Sequence, residues 1–116
     1  MSMIEELKEL GVRADEGIDR FGGDEELYVE LMEDVVTEIE AHEVLCCFES
    51  GDLDTALANA HCLKGALGNM CISPLYEDYE AIVRLIREGD AEAAKQRTIE
   101  MLPVQDKILE CIKKYL

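Results

Sequence analysis

Three Gly-Asp junctions, Gly22-Gly23-Asp24, Gly51-Asp52 and Gly89-Asp90, punctuate this chain and leave little choice of fold. Each couples a residue suited to end a helix with one whose carboxylate can cap the next helix within a residue or two. A fourth start is Ser73-Pro74, an N-cap followed by proline at the first helical position, with Glu77 and Asp78 near the positive end of the dipole. The signals predict long helices over 24–49, 52–71, 74–88 and 91–114, with short helical pieces near 3–9 and 14–20. Connections this short force neighbouring helices to run antiparallel. The expected fold is therefore all-α, an up-down antiparallel four-helix bundle with short N-terminal helical segments, forming a single domain over residues 1–116.

Hydrophobic spacing agrees with those boundaries. Leu27, Leu31, Val35, Ile39, Leu45 and Phe48 form one helical stripe, and Leu53, Leu57, Ala60, Leu63, Leu67 and Met70 form a second. Leu75, Tyr79, Ile82 and Ile86 repeat the pattern, as do Ile108, Cys111, Ile112 and Tyr115. Pro103 falls inside the last segment, where a kink or a break is expected.

Charge removes several functions from consideration. Eleven basic residues stand against twenty-seven acidic ones, a formal net charge of −16. That field repels nucleic-acid backbones and anionic membranes. It also disfavours unaided ATP binding, and no GxxxxGK[ST] phosphate loop is present. The five cysteines (Cys46, Cys47, Cys62, Cys71, Cys111) form no C-x-x-C pair and read as reduced, small apolar side chains. With no basic-then-apolar leader and no apolar run of membrane-spanning length, a cytoplasmic location is expected.

The segment from Gly51 to Cys71, GDLDTALANAHCLKGALGNMC, departs from good helix design. Gly65 and Gly68 lie in mid-helix, each at a cost of about 1 kcal/mol against alanine. On a helical wheel Asp54, His61, Gly65 and Gly68 share a strip of roughly 60° on the flank of the apolar stripe. Lys64 lies between strip and stripe, so its stem can cover apolar surface while its ammonium reaches outward. The pattern exposes an imidazole, clears side chains beside it and sets a cation one turn away. Phosphoryl transfer makes those demands: a nucleophile that works near neutral pH, open in-line approach, and positive charge near the phosphoryl oxygens.

The run His61-Cys62-Leu63-Lys64-Gly65-Ala66-Leu67-Gly68-Asn69 resembles the HxLKGxxG signature of histidine-containing phosphotransfer (HPt) domains. The stretch from Gly11-Val12 through Arg20-Phe21-Gly22-Gly23-Asp24-Glu25-Glu26-Leu27-Tyr28 is similar to the N-terminal part of that family, and Glu80 falls where the family often has a helix glutamate. The resemblance implies a phosphohistidine carrier of two-component phosphorelays, without kinase activity of its own. In it His61 takes a phosphoryl group from a receiver-domain phospho-aspartate and passes it to another receiver. It further implies that Lys64 assists electrostatically and that Gly65 and Gly68 provide clearance for docking. No metal or cofactor belongs to the carrier, the Mg²⁺ being supplied by the receiver. The implied partners are response-regulator receivers and a hybrid sensor histidine kinase, met by a monomer.

Two positions depart from the family pattern. Cys71 stands where glycine is usual, so helix-end geometry or packing is expected to differ there. Val83 stands near the place where Gln or Glu often faces the imidazole, leaving ring orientation to another group such as Glu80 or water. Those departures keep open a second reading, a phosphotransfer-like bundle that only binds receivers or other proteins. A carboxylate-bridged metal bundle would need Glu-x-x-His pairs, and the residues three before His61 and His42 are Ala58 and Ile39. The spacing of an EF-hand is also absent.

Overall fold

A computed structural model describes residues 1–116 and contains seven helices and no strand: α1 Met3–Glu9, α2 Ala14–Arg20, α3 Glu25–Ala41, α4 Leu45–Ser50, α5 Leu53–Asn69, α6 Ser73–Arg87 and α7 Ala91–Lys114. Three of the expected aspartate caps form. Asp24, Asp52 and Asp90 each accept a hydrogen bond, at 3.1 Å, from the backbone N–H three residues on. At the start of α6 the boundary moves by one residue. Ile72 takes the cap position, Ser73 is already helical with Pro74 behind it, and the Ser73 hydroxyl donates back to the Cys71 carbonyl.

The helix stops follow one geometry. At Gly51, the Asp52 N–H reaches the Cys47 carbonyl and the Gly51 N–H reaches Phe48; Gly89 and Asp90 repeat the pair of bonds on Ile86 and Leu85. This is the Schellman closure, which puts its pivotal residue in the left-handed region. The end of α5 closes in the same way, with Cys71 N–H bonded to Gly68 and Ile72 N–H to Leu67. Here the pivot is Cys71, at φ +55°, the one non-glycine residue with positive φ. A cysteine at this pivot concentrates the cost of the turn in one strained residue, on the order of 1–2 kcal/mol.

The single helix expected over 24–49 is two helices. His42, Glu43 and Val44 interrupt it, with no glycine or proline to announce the break. The interruption frees the Glu43 carbonyl, which accepts a 2.9 Å hydrogen bond from the Asn59 amide on α5. It also redirects the chain so that Val44, Cys47 and Phe48 enter the core. Within α3 the buried face is Tyr28, Met32, Val35, Val36 and Ile39. Leu27, expected inside, is 37% exposed, so the true stripe is rotated by about one residue there. At the other expected edges Leu53 and Tyr115 are exposed as well.

The helix α7 runs unbroken through Pro103. The carbonyl that loses its partner belongs to Ile99, one turn earlier and exposed, so water can satisfy it. At about 1.5 Å per residue α7 spans nearly the whole 40 Å long axis of the molecule.

One continuous core joins all seven helices. α6 packs along both α5 and α7, while α3 touches α5 and α7. Ala56 and Ala60 are fully buried and allow close approach to α5, and Leu63 and Leu67 fill the layers above them. Two polar residues lie in the interior, and both are satisfied: Thr98 donates to the Ala94 carbonyl, and Gln105 accepts from the Tyr79 hydroxyl. Burial pushes the Tyr79 phenol far above its ordinary range, so it remains a donor.

α2 and the start of α3 are fastened across the C-terminal end of α5. The Tyr28 hydroxyl, from α3, donates to the Met70 carbonyl at 2.8 Å, and the N–H of Arg13, the residue that caps α2, donates to the Cys71 carbonyl at 3.1 Å. Gly17 allows this closeness. A Cβ there would lie 2.3 Å from the Tyr28 ring and 3.0 Å from the Met70 carbonyl oxygen.

Candidate functional site

The exposed flank of α5 carries the strip read from the sequence. His61 is exposed, one turn before Gly65 and one residue after fully buried Ala60. Gly65 is exposed too, and a Cβ placed on it would meet nothing within 4 Å. Lys64 is half-buried.

Gly68 has a different environment. A Cβ on it would lie 3.1 Å from two atoms of the Tyr76 ring. Its missing side chain makes room for α6, so the two mid-helix glycines have separate reasons. Gly65 opens space outward, and Gly68 allows an intramolecular contact.

Lys64, Gly65 and Gly68 line a groove of about 440 Å³ together with Arg13, Glu16, Arg20, Asn69, Cys71, Ser73 and Tyr76. Three cations against one carboxylate stand out in a chain of net charge −16. Arg20 donates to the Gly68 carbonyl at 2.9 Å, placing a guanidinium at the negative end of the α5 dipole. Arg13 pairs with Glu16 at 3.8 Å, an exposed contact of little energetic weight. The fastening of α2 over α5 is what brings these arginines beside Lys64. His61 is not among the groove-lining residues; it stands one turn beyond the Gly65 end.

The positions flagged on α6 resolve differently. Val83 is in the core at 2% exposure, so it occupies apolar interior. Glu80 is exposed on the same helix one turn after Tyr76, and its carboxylate pushes that phenol's pKa up. Asp54 is exposed in the first turn of α5.

Sequence reasoning missed two features. The arginines of α2 carry no local signal, because their approach to α5 depends on Gly17 and Tyr28. A cluster of Glu38, His42 and Cys62 also assembles where α3 ends against α5, with one donor atom from each residue lying within 4.8 Å of the others. The Cys62 thiol lies 3.6 Å from both Glu38 Oε2 and His42 Nε2. Burial pushes that thiol's pKa up, and hydrogen bonding to the Glu38 carboxylate adds to the effect. A search for Glu-x-x-His cannot find this cluster, because its carboxylate is four residues from His42 and its third member is on another helix.

No protein-family model, no curated protein and no solved structure matches this chain.

Proposed function

We propose that this chain is a phosphohistidine carrier of the HPt kind, with its four longest helices forming an up-down antiparallel bundle around the core. His61 accepts a phosphoryl group from a receiver-domain phospho-aspartate and passes it to a second receiver. In each transfer a lone pair of an imidazole nitrogen forms the N–P bond or receives the electrons when that bond breaks; the aspartate carboxylate is the leaving group in the first step and the nucleophile in the second. The receiver brings Mg²⁺, the carrier makes no phosphoryl donor of its own, and the exchange takes place in the cytoplasm.

The observation that carries the reading is an exposed imidazole followed one turn later by a glycine with open space above it, at the edge of a cationic groove. Side chains on a helix lean toward its N-terminus, so a side chain at residue 65 would cover the surface over His61. Glycine there leaves the imidazole approachable in line. Lys64, Arg13 and Arg20 supply local positive charge in an otherwise anionic molecule, where phosphoryl oxygens and the acidic site of a receiver would come to rest.

The test is transfer from a receiver phosphorylated on aspartate, in the presence of Mg²⁺. Label should move to the chain as an acid-labile, base-stable adduct. His61→Gln should abolish it, and His42→Gln should leave it intact. Labelling retained in His61→Gln overturns the assignment. A chain that binds receivers but never takes label is a binding module.

A further inference from the structure

We propose that Glu38, His42 and Cys62 form a binding site for a zinc-class divalent transition-metal ion, pinning the end of α3 to the middle of α5 one residue from His61. The site is separate from the groove and from the phosphotransfer reading. None of its residues is given a part in that chemistry.

The tautomer of His42 is set within its own helix. Its Nδ1 lies 2.8 Å from the backbone carbonyl oxygen of Glu38. A carbonyl can only accept, so Nδ1 carries the hydrogen, and in the neutral ring the free lone pair is on Nε2. That is the arrangement of a metal-binding histidine, whose second nitrogen is held by a backbone or carboxylate acceptor that sets ring orientation. Nε2 faces Cys62 Sγ at 3.6 Å.

Both distances from the Cys62 sulfur match a tetrahedral ion. With zinc–sulfur near 2.3 Å and zinc–nitrogen near 2.0–2.1 Å, ligand atoms at the tetrahedral angle stand about 3.6 Å apart; a sulfur–oxygen pair gives nearly the same value. The Cys62 sulfur lies 3.6 Å from the histidine nitrogen and 3.6 Å from a Glu38 carboxylate oxygen. The same carboxylate oxygen lies 3.4 Å from His42 Nδ1, and one donor atom from each residue lies within 4.8 Å of the others, so a turn of the Glu38 carboxylate toward Nε2 brings the three ligands onto one ion. Glu38 and His42 are one turn apart on α3, which puts both side chains on the same face, and Cys62 meets them from α5.

The donor set selects the class of metal. Thiolate, imidazole and carboxylate together suit zinc and its neighbours in the first transition row, whereas magnesium and calcium take oxygen ligands. Binding displaces the Cys62 proton to solvent, leaving thiolate as ligand, and no oxidant or reductant is involved. All three residues are partly exposed, so an ion can enter and water can take the fourth position. The net charge of −16 favours a cation's arrival.

The experiment is titration of the reduced, full chain with Co²⁺, followed by absorbance and then by competition with Zn²⁺. Expected are a thiolate-to-cobalt charge-transfer band and tetrahedral d–d bands that saturate at about one equivalent and vanish on adding zinc. Cys62→Ser should remove the charge-transfer band. His42→Gln should weaken binding at least about tenfold, and Cys46→Ser, at an exposed cysteine outside the cluster, should change nothing. Circular dichroism establishes that each variant is folded, and His42→Gln stands as the second ligand variant if Cys62→Ser does not fold. Zn²⁺ should also raise the unfolding temperature of the parent and not that of the ligand variants. A parent that develops no charge-transfer band in excess cobalt overturns the proposal. So does a band that survives Cys62→Ser. No receiver is present in the assay, so its outcome is independent of phosphotransfer.

Discussion

Replacing Gly65 sets stability against function and gives the sharpest test of the His61 face. An ideal Cβ at Gly65 meets no atom within 4 Å, so alanine should add helix propensity without a clash. The gain is about 0.8–1 kcal/mol, from the entropy glycine loses on becoming helical. For a domain of this size, 1 kcal/mol moves the unfolding midpoint by about 4 °C. Gly65→Gln should gain roughly 0.5 kcal/mol, since glutamine is a good helix former on an exposed face. Its side chain leans toward the N-terminus of α5 and so lies over His61, whose Cβ is about 5–6 Å from that of residue 65. In-line attack tolerates little displacement, and a misplacement of about 1 Å can lower a rate by 100-fold. Transfer from a phosphorylated receiver should therefore fall by at least about 100-fold in Gly65→Gln and less in Gly65→Ala. Thermal or urea unfolding of each variant, beside the rate of phosphoryl loss from labelled receiver, separates the two effects. A more stable Gly65→Gln that still transfers at the parent rate refutes docking on this face. One that unfolds more readily refutes the open environment of Gly65.

Other substitutions probe the surroundings of that face. Lys64→Ala should slow transfer about tenfold or more through loss of a charge-assisted contact, while changing stability by no more than about 1 kcal/mol, because the residue is only half-buried; unchanged kinetics would make Lys64 a bystander. Gly17→Ala should destabilise the domain by about 1–3 kcal/mol in urea, since its methyl would meet the Tyr28 ring at 2.3 Å and the Met70 carbonyl at 3.0 Å. A neutral Gly17→Ala would mean that α2 is not fastened to α5 as described.

Features that act within one helical turn were legible in the sequence. Asp24, Asp52 and Asp90 cap the next helix through a bond to the N–H three residues on, and Gly51 and Gly89 close the preceding helix through bonds spanning a few residues. Periodicity alone also put His61 and Gly65 on an exposed strip. What tertiary structure decided depends on how helices cross. The break at His42–Val44 has no glycine or proline; it exists because the Glu43 carbonyl finds Asn59 and because Val44, Cys47 and Phe48 find the core. α3 could bury Leu27 and Leu31 or Tyr28 and Met32, and the bond from Tyr28 to Met70 belongs with the second face. Gly65 and Gly68 look equivalent in one dimension, yet only the approach of Tyr76 shows that one faces open space and the other a neighbouring ring. Arg13 and Arg20 join Lys64, and Glu38 and His42 meet Cys62, across residue separations at which no local periodicity constrains distance. Capping and stopping a helix are short-range hydrogen-bond choices, whereas the groove and the Glu38–His42–Cys62 cluster arise only when the buried faces of separate helices have packed.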